Sequence, residues 1–340
     1  MAITLKDVAA RAGVSRGTVD RVLYGRGIVN SETREKVLQA LEELQYTPNV
    51  SARALVRTHR QPKIGVIIPD QQGFFHDEVL RGIREGTREC NAVGIAVEVR
   101  ECDANDPGGY LRIIDELCEA GIGALALSGQ DCAPLIRAID DLAEQDIPVI
   151  TINSDIPDSR RRSFVGEDSY KSGRIAGEMM AKMISRPGSI LVLGGRREYS
   201  AHVNRVRGFQ DALREHAITE LNSITVYTYE DNELTSRRTA EILQSEATLR
   251  GVYLATSSVS AYVETRCRFG GEHLITISHD IPPRTLDYLR SGDIDLTIEQ
   301  NIYRQGFKPL QMLRDYLLTG KPIPQEEIRT FYNVISAECL

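Results

Sequence analysis

The chain has 340 residues, of which 41% are hydrophobic and 26% charged, and its formal net charge is −7. This is the composition of a soluble globular protein, and no apolar run approaches the roughly 20 residues that span a membrane. The polar N-terminus does not resemble a signal segment, so we expect a cytoplasmic location. The six cysteines show no CxxC pair and no metal-ligand spacing, which predicts reduced thiols and no metal site. We also expect no cofactor.

The first part of the chain has the pattern of two short helices joined by a tight turn. Apolar residues recur at helical spacing over residues 5–12, Gly13 can adopt the left-handed conformation of a turn, and Ser15 can cap the next helix. In that second helix Val19 and Val22 are predicted to face inward. The pattern predicts a helix-turn-helix, whose second helix presents its N-terminal residues to bases in the DNA major groove.

A third helix completes the predicted DNA-binding headpiece, residues 1–47. Val37, Leu41 and Leu44 form the core face of this helix. A proline then ends it, and residues 48–61 are predicted to be a further short helix and a linker.

Charge separates the two ends of the chain. Residues 1–60 contain ten basic and six acidic side chains, a net charge of +4, so the remainder carries −11. A basic headpiece attracts DNA phosphates, whereas an acidic body limits non-specific adhesion to them. The distribution therefore predicts that the protein contacts double-stranded DNA with one end only.

Beyond residue 62, short apolar runs alternate with amphipathic stretches of helical length. Such alternation specifies parallel sheets with helices on both faces, and eight runs fit two doubly wound lobes. The predicted fold class is therefore α/β, with a helix-turn-helix headpiece and a two-lobed body of doubly wound parallel sheets. We assign residues 62–153 and 301–328 to the first lobe, and residues 154–300 and 329–340 to the second. The predicted strands are residues 64–68, 96–99, 124–127, 149–152, 190–193, 224–227, 252–255 and 274–277.

Six segments of the headpiece occur in a fixed order: Leu5–Ala9, Gly13–Ser15, Thr18–Val19, Arg21–Leu23, Thr33–Val37 and Tyr46–Asn49. In these segments the chain resembles the lactose-repressor (LacI) family of transcriptional regulators. The body resembles the type I periplasmic binding proteins, particularly the ribose binders, with which that family shares its effector domain. The resemblance covers the whole chain and implies a regulator, most often a repressor, whose operator affinity a small ligand between the lobes controls allosterically.

Two other classes of protein were weighed against this interpretation. An α/β enzyme would need a reactive constellation, and the sequence has no G-x-S-x-G, no H-E-x-x-H and no phosphate loop ending in Lys-Ser or Lys-Thr. A free-standing sugar-binding protein would account for the body but not for the headpiece. We therefore expect a regulator and not an enzyme.

The resemblance places Arg16, Gly17 and Arg21 against bases, and Ser15 and Thr18 against phosphates. Arginine can bond bidentately to guanine, which contributes about 1 to 3 kcal/mol of discrimination. Gly17 has no side chain, which fits either close approach of the backbone to DNA or simple tolerance. The predicted DNA-binding residues are Thr4, Ser15, Arg16, Gly17, Thr18, Asp20, Arg21, Tyr24, Asn30, Asn49, Ala52, Arg53 and Leu55.

Two of these residues leave alternatives open. Asp20 stands where the family usually has a small hydroxyl residue, and it can either orient Arg16 by pairing with it or accept a hydrogen bond from cytosine N4. By resemblance, Leu55 wedges between base pairs in the minor groove at the centre of an approximate palindrome; otherwise it packs against the body. The wedge requires two hinge helices, so the resemblance implies a homodimer or a higher oligomer.

In doubly wound sheets ligands bind at the carboxyl ends of strands, and here polar or aromatic residues follow most of them. By resemblance these residues bind sugar hydroxyls, while Phe74 and Phe75 either stack on a sugar ring or pack in the core. Val203 replaces a commonly basic residue of the family, which leaves His202 and Arg205 to line the cleft. A neutral sugar or polyol is expected, because a strongly anionic ligand would have to rely on those two residues. The predicted ligand-binding residues are Gln72, Phe74, Phe75, Asp131, Asn153, Ser154, Asp155, His202, Arg205, Tyr229, Thr256, Ser257, Asp280 and Gln300.

Overall fold

The computed structural model describes residues 5–15, 17–19, 22, 30–44, 61–325 and 327–340. No helix among these residues is long and apolar enough to cross a membrane. All six cysteines lie within the described ranges, and none forms a disulfide.

The headpiece contains α1 (Leu5–Ala12) and α2 (Ser31–Glu43). The predicted turn after α1 is confirmed, because Gly13 has a φ of 64°. The predicted cap is also confirmed, since Ser15 Oγ accepts a hydrogen bond of 3.2 Å from the N–H of Thr18. These two features orient the start of the second helix relative to α1.

A small apolar core holds the described part of the headpiece together. Val8, Val19 and Val37 are fully buried, one from each of the three helical segments, as the spacing predicts. Arg11 and Glu43 form an ion pair between α1 and α2 at the surface. Partly buried apolar side chains surround this core: Ala12, Val14, Val22, Leu41 and Leu44.

The body alternates strands and helices. In chain order its elements are β1 (Lys63–Pro69), α3 (Phe74–Ala92), β2 (Ala96–Cys102), α4 (Pro107–Glu119), β3 (Ala124–Leu127), α5 (Ala133–Glu144), β4 (Val149–Ile152), β5 (Ser163–Gly166), α6 (Ser169–Met183), β6 (Gly188–Gly194), α7 (Ser200–His216), β7 (Leu221–Tyr227), α8 (Asn232–Ser245), β8 (Leu249–Ala255), α9 (Val259–Phe269), β9 (Ile275–His279), α10 (Pro283–Ser291), β10 (Leu296–Glu299), α11 (Ile302–Thr319), β11 (Ile328–Arg329) and β12 (Asn333–Ile335), followed by a 3-10 turn at Ala337–Cys339.

Two six-stranded sheets form the two lobes. The first sheet has the strand order β11-β5-β4-β3-β1-β2, and the second has the order β12-β10-β9-β8-β6-β7. All neighbouring strands are parallel except β10 and the edge strand β12. Helices cover both faces of such sheets, so the central strands are buried on both sides and consist of continuous apolar runs. The predicted two-lobed α/β fold is confirmed.

The boundary between the lobes differs from the prediction at one crossing. Strand β5 pairs with β4 in the first sheet, so residues 154–166 belong to the first lobe and not to the second. Arg329 also pairs in the first sheet, opposite Gly166. The prediction was wrong here because β5 is a four-residue strand that contains only two large apolar residues. The other domain boundaries stay predictions.

In each lobe two helices cross closely at glycines. A Cβ atom at Gly306 of α11 would overlap the carbonyl oxygen of Val79 in α3. In the second lobe, a Cβ atom at Gly173 of α6 would overlap the carbonyl oxygen of Arg205 in α7. The second crossing fixes the depth at which α7 presents Arg205 to the space between the lobes.

Gly306→Ala is expected to lower the free energy of unfolding by about 1 to 3 kcal/mol, because the added methyl group forces the α3 backbone away. In an exposed helix the same change would stabilise the protein by up to about 1 kcal/mol. Thermal unfolding measures the effect, with Arg304→Ala, an exposed position of the same helix, as the control. An unchanged or raised Tm for Gly306→Ala would contradict the close crossing.

Candidate functional site

A cavity of about 780 Å³ lies between the lobes, at the carboxyl ends of both sheets. The first lobe contributes the loops after β1, β3 and β4, and the second contributes the loops after β7 to β10 and the start of α7. The volume is within the range of small-molecule sites, roughly 300 to 1,000 Å³. The cavity therefore lies where the strand-end argument predicts a ligand.

Ten of the fourteen predicted ligand-binding residues line this cavity. Phe74 and Phe75 line the cavity and also pack against the first lobe's core, so the core-packing alternative holds and stacking on a sugar ring stays a prediction. The ten are Gln72, Phe74, Phe75, Asn153, His202, Arg205, Thr256, Ser257, Asp280 and Gln300.

Ser154 and Asp155 were wrongly predicted to line the cavity. Asp155 forms an ion pair with Arg161 and accepts a hydrogen bond of 2.8 Å from the N–H of Ile156. Ser154 is fully buried, with its Oγ 3.1 Å from that of Ser200 at the start of α7. Both side chains therefore fix the loop after β4 instead of facing the cavity.

Asp131 and Tyr229 also lie outside the cavity wall. The Asp131 side chain is exposed, and its backbone N–H donates to the carbonyl oxygen of Glu198 in the other lobe at 3.2 Å. Tyr229 has a φ of 56° and is 41% exposed, and the next residue, Glu230, lines the cavity in its place. The prediction that Tyr229 lines the cavity is therefore wrong, and the carboxylate of Glu230 lies in the wall instead.

Backbone strain is concentrated at this end of the sheets. Of the six described non-glycine residues with positive φ, five lie within three residues of a strand end beside the cavity. Each such residue costs on the order of 1 to 3 kcal/mol and persists where surrounding structure imposes it, as at binding sites. The five are Asn153, Tyr229, Glu230, Asp280 and Asn301.

Arg205 reaches the cavity but is already paired. Its side chain is 7% exposed and forms an ion pair with Glu167, which is 1% exposed. The backbone oxygen of Glu167 accepts a hydrogen bond of 2.8 Å from Arg329 near the crossing between the lobes. Because the partner carboxylate neutralises the guanidinium, Arg205 has little net charge to offer an anionic ligand.

His202 and Glu230 form a second polar pair in the cavity wall. His202 Nδ1 accepts a hydrogen bond of 2.6 Å from the N–H of Arg196, which places the proton of the neutral ring on Nε2. Nε2 lies 3.6 Å from Glu230 Oε1, and Glu230 Oε2 accepts a hydrogen bond of 2.7 Å from the N–H of Ser257. Burial lowers the pKa of His202, although the Glu230 carboxylate acts in the opposite direction.

A Cβ atom at Gly195 would overlap both Glu230 Oε1 and the His202 ring, so a glycine is needed beneath this pair. The neighbouring Arg196 extends from here to the first lobe, where its Nη1 donates to Asn105 Oδ1 at 2.5 Å. The same loop therefore contacts the cavity wall through its backbone and the opposite lobe through a side chain.

Asp280, Gln300 and Gln305 form a directional chain of hydrogen bonds. Gln305 Nε2 donates to Gln300 Oε1 at 3.1 Å, and Gln300 Nε2 donates to both Asp280 oxygens at 3.0 and 3.2 Å. Burial raises the pKa of Asp280 to about 7, against the lowering effects of Arg205 and of the Gln300 hydrogen bond. The amide donors of this chain are therefore used for hydrogen bonds within it. The carboxyl group of Asp280 gains or loses its proton near pH 7.

His279 precedes Asp280 and is 4% exposed. Its Nε2 is 2.7 Å from the hydroxyl oxygen of Tyr253, and its Nδ1 is buried with no hydrogen-bond partner. Burial lowers the pKa of His279, and the charge of Arg205 adds to this, so the ring is neutral. Tyr253 also stacks on Phe209 with ring centroids 4.5 Å apart, which fixes this wall from behind.

The sequence interpretation missed three residues that matter in this wall: Glu230, His279 and Gln305. Glu230 follows β7 and was available to the strand-end argument, which selected the neighbouring tyrosine instead. His279 is the last residue of β9, where its pattern is that of a buried strand residue. Gln305 lies in the second turn of α11, and only the fold brings it beside Gln300.

Four of the predicted DNA-binding residues are described. Ser15 and Gly17 are exposed at the start of the second helix, and Ser15 Oγ lies 2.9 Å from Thr18 Oγ1. Asn30 is exposed, and its Oδ1 accepts a hydrogen bond of 2.8 Å from the N–H of Thr33 as the cap of α2. The other predicted residues lie outside the described ranges: Thr4, Arg16, Asp20, Arg21, Tyr24, Asn49, Ala52, Arg53 and Leu55.

Two family models match the chain, one for each part. The model of the periplasmic binding protein domain matches residues 64–322, and that of bacterial regulatory proteins of the lacI family matches residues 4–49. The chain belongs to the lacI family. The resemblance read from the headpiece segments is thereby confirmed, and the cavity lies in the periplasmic binding protein domain of this lacI-family chain.

Curated relatives agree with this assignment, and solved structures agree with the fold of the body. The chain is 30% identical over 232 residues to the HTH-type transcriptional regulator MalR of Streptococcus pneumoniae, covering 66% of each protein, just under two thirds. It is 24% identical over 348 residues to the ribose operon repressor of Lactococcus lactis, covering 99% of this chain and 98% of that one. The body shares its fold with a solute-binding protein of Burkholderia graminis in complex with D-arabinose, at a TM-score of 0.75 and 19% identity, covering 83% and 98% of the two chains.

The raised pKa of Asp280 predicts a pH-dependent stability. Because its pKa is about 7 in the folded protein against 3.8 ordinarily, the folded state binds more protons than the unfolded chain between these values. The free energy of unfolding contributed by this group therefore falls as pH rises through that window and levels off above it. Asp280→Asn removes this contribution. The Tm of the variant minus the Tm of the wild type should therefore increase as the pH rises from about 5 to about 8.

The control is Asp287→Asn, the same change at a side chain that is 73% exposed and pairs with Arg290 on α10. Thermal unfolding of the three proteins across pH measures the difference. A Tm difference between Asp280→Asn and wild type that does not change with pH would contradict the raised pKa.

Proposed function

We propose that this protein is a sequence-specific DNA-binding transcriptional regulator, acting as a repressor, whose operator affinity is controlled by a small ligand bound between its lobes. The observation that carries the proposal is the presence of a helix-turn-helix core and a strand-end cavity between two lobes in one chain. A solute-binding protein would need only the second feature. The names of the relatives, transcriptional regulators and an operon repressor, support the same function.

On the DNA side, we expect Ser15 and Thr18 to contact phosphates, and Arg16 and Arg21 to read guanines in the major groove. Two headpieces of a homodimer then read the two half-sites of an approximate palindrome in the cytoplasm. The described surface supports contact of the headpiece with DNA, because Ser15, Gly17 and Asn30 are exposed while the valines of the same segments are buried.

On the ligand side, we propose a sugar or a polyol. Phe74 and Phe75 offer apolar surface in the first lobe, while Gln72 and Asn153 offer amides there to hydroxyl groups. A relative named ribose operon repressor and a structure containing D-arabinose support this ligand class. Closure of the lobes on the ligand would change operator affinity by the ligand's preference for one lobe arrangement, typically about 1 to 3 kcal/mol.

Selection of operator sequences from a random DNA pool, using the full chain, tests the proposal. An approximately palindromic consensus is expected, and its affinity should change when the sugar or polyol that raises the Tm is added. Binding that shows no sequence preference, with and without ligand, would reject the regulator function.

Arg21→Ala should weaken binding to the selected operator by roughly 5- to 150-fold, which corresponds to about 1 to 3 kcal/mol, and should relax the preference at one base pair. Non-specific binding should change much less. Gel-shift titrations measure both, with Arg34→Ala, an exposed arginine of α2, as the matched control. A uniform loss on all sequences would assign Arg21 to phosphate contact instead.

Leu55→Ala should weaken operator binding strongly while the Tm of the protein stays unchanged, because a wedge contributes only when it is inserted between base pairs. Leu38→Ala is the matched control, since Leu38 is 49% exposed on α2. Operator affinity and the bend angle of the bound DNA are the measurements. A lowered Tm with unchanged operator affinity would assign Leu55 to packing against the body.

A further inference from the structure

The second-lobe wall of the cavity is short of positive charge. Of the described residues that line the cavity, none is a lysine, and the two arginines are both paired with glutamates. Arg205 pairs with Glu167, and Arg284 pairs with Glu264 at 2.9 Å. The carboxylates of Asp77, Glu230 and Asp280 also line the cavity, so its walls carry an excess of negative charge.

The part of this wall around Asp280 presents hydrogen-bond acceptors. In the chain Gln305–Gln300–Asp280 each amide NH₂ group is already bonded to the next acceptor. Gln305 is fully buried, and its Oε1 accepts no hydrogen bond. Both partners of its Nε2 are oxygen atoms, which fixes the orientation of the amide. A ligand at this wall therefore has to bring the donors.

Glu230 extends this pattern along the wall. Its Oε2 is satisfied by Ser257 and Thr256, while its Oε1 is buried with no hydrogen-bond partner and faces His202 Nε2 at 3.6 Å. A neutral His202 does not cancel the charge of this carboxylate. Taking an ionised carboxylate out of water is costly unless a cation is brought close to it.

We propose that the ligand of this cavity carries a protonated amine, so that it is an amino sugar or an amino polyol bound with its ammonium group against Asp280. This inference rests on the proposed function and specifies its ligand. An ammonium group supplies three donors and one positive charge, which match the acceptor oxygens and the negative charge of Asp280 and Glu230. The remaining hydroxyl groups of the ligand face the amides and phenyl rings of the first lobe. The proposal replaces the neutral ligand expected from the sequence, and it excludes sugar phosphates.

Matched compounds that differ only at one substituent test the proposal. D-glucose, D-galactose and D-mannose are each compared with the corresponding 2-amino-2-deoxy and 2-acetamido-2-deoxy sugars, and sorbitol with 1-amino-1-deoxysorbitol. Thermal shift and isothermal titration of the full chain are the measurements. In at least one set the amine should bind about tenfold or more tightly than its neutral counterparts, and this advantage should shrink as salt is added.

Variants test whether the carboxylates of the cavity wall cause the preference for the amine. Asp280→Asn should abolish the advantage of the amine over its hydroxyl counterpart, whereas Asp287→Asn, the exposed change in the same lobe, should retain it. If Asp280→Asn does not yield a folded protein, Glu230→Gln provides a second removal of charge, and it should reduce the advantage.

Two results would overturn the inference. One is a neutral sugar or polyol that binds as tightly as its amine in every set; the other is the absence of binding by every amine. Either result leaves the regulator function to be judged separately, because the operator selection needs no ligand. Loss of sequence preference in that selection would reject the regulator function whatever the amines do.

Discussion

The buried ion pair between Arg205 and Glu167 is the constraint on which the cavity depends. Glu167 follows β5 at a crossing between the lobes, and Arg205 is presented by α7, which the Gly173 crossing holds against α6. Two charges this deeply buried stabilise the fold only while they stay together, since losing one partner typically costs about 3 to 5 kcal/mol. The pair thus connects the crossing to the cavity wall, and Glu167 offsets the positive charge that Arg205 presents near Asp280.

The loop after β6 contacts both the cavity wall and the first lobe. The N–H of Arg196 holds His202 in one tautomer, and the Arg196 side chain bonds Asn105 in the first lobe. Ser200, four residues later, donates to the backbone oxygen of Asp155 in that lobe at 2.7 Å. A shift of His202 therefore displaces a loop that both lobes share, and this gives a short mechanical route from the cavity wall to the arrangement of the lobes.

Residue patterns were sufficient for much of the fold and for part of the site. The buried strands β1 and β3 are continuous apolar runs, and Gly13 with Ser15 determines the headpiece turn by local chemistry alone. Strand β5 was missed because it has only four residues, of which two are large and apolar, so it presents no continuous apolar run. Asp155 and Tyr229 were misplaced because the direction of a loop side chain depends on φ and on local partners, and the chain of bonds to Gln305 exists only after α11 packs.

Neither lobe is continuous in the sequence, and this has a consequence for the order of folding during synthesis. The first sheet lacks its edge strand β11, and α3 lacks its glycine-packed partner α11, until the second-lobe sequence from α6 to β10 has been synthesised. The second sheet in turn waits for β12, almost the last segment made. The described core of the headpiece lies within residues 8–44, so the headpiece can fold first, and the nascent chain has a DNA-binding module before its regulatory domain is complete.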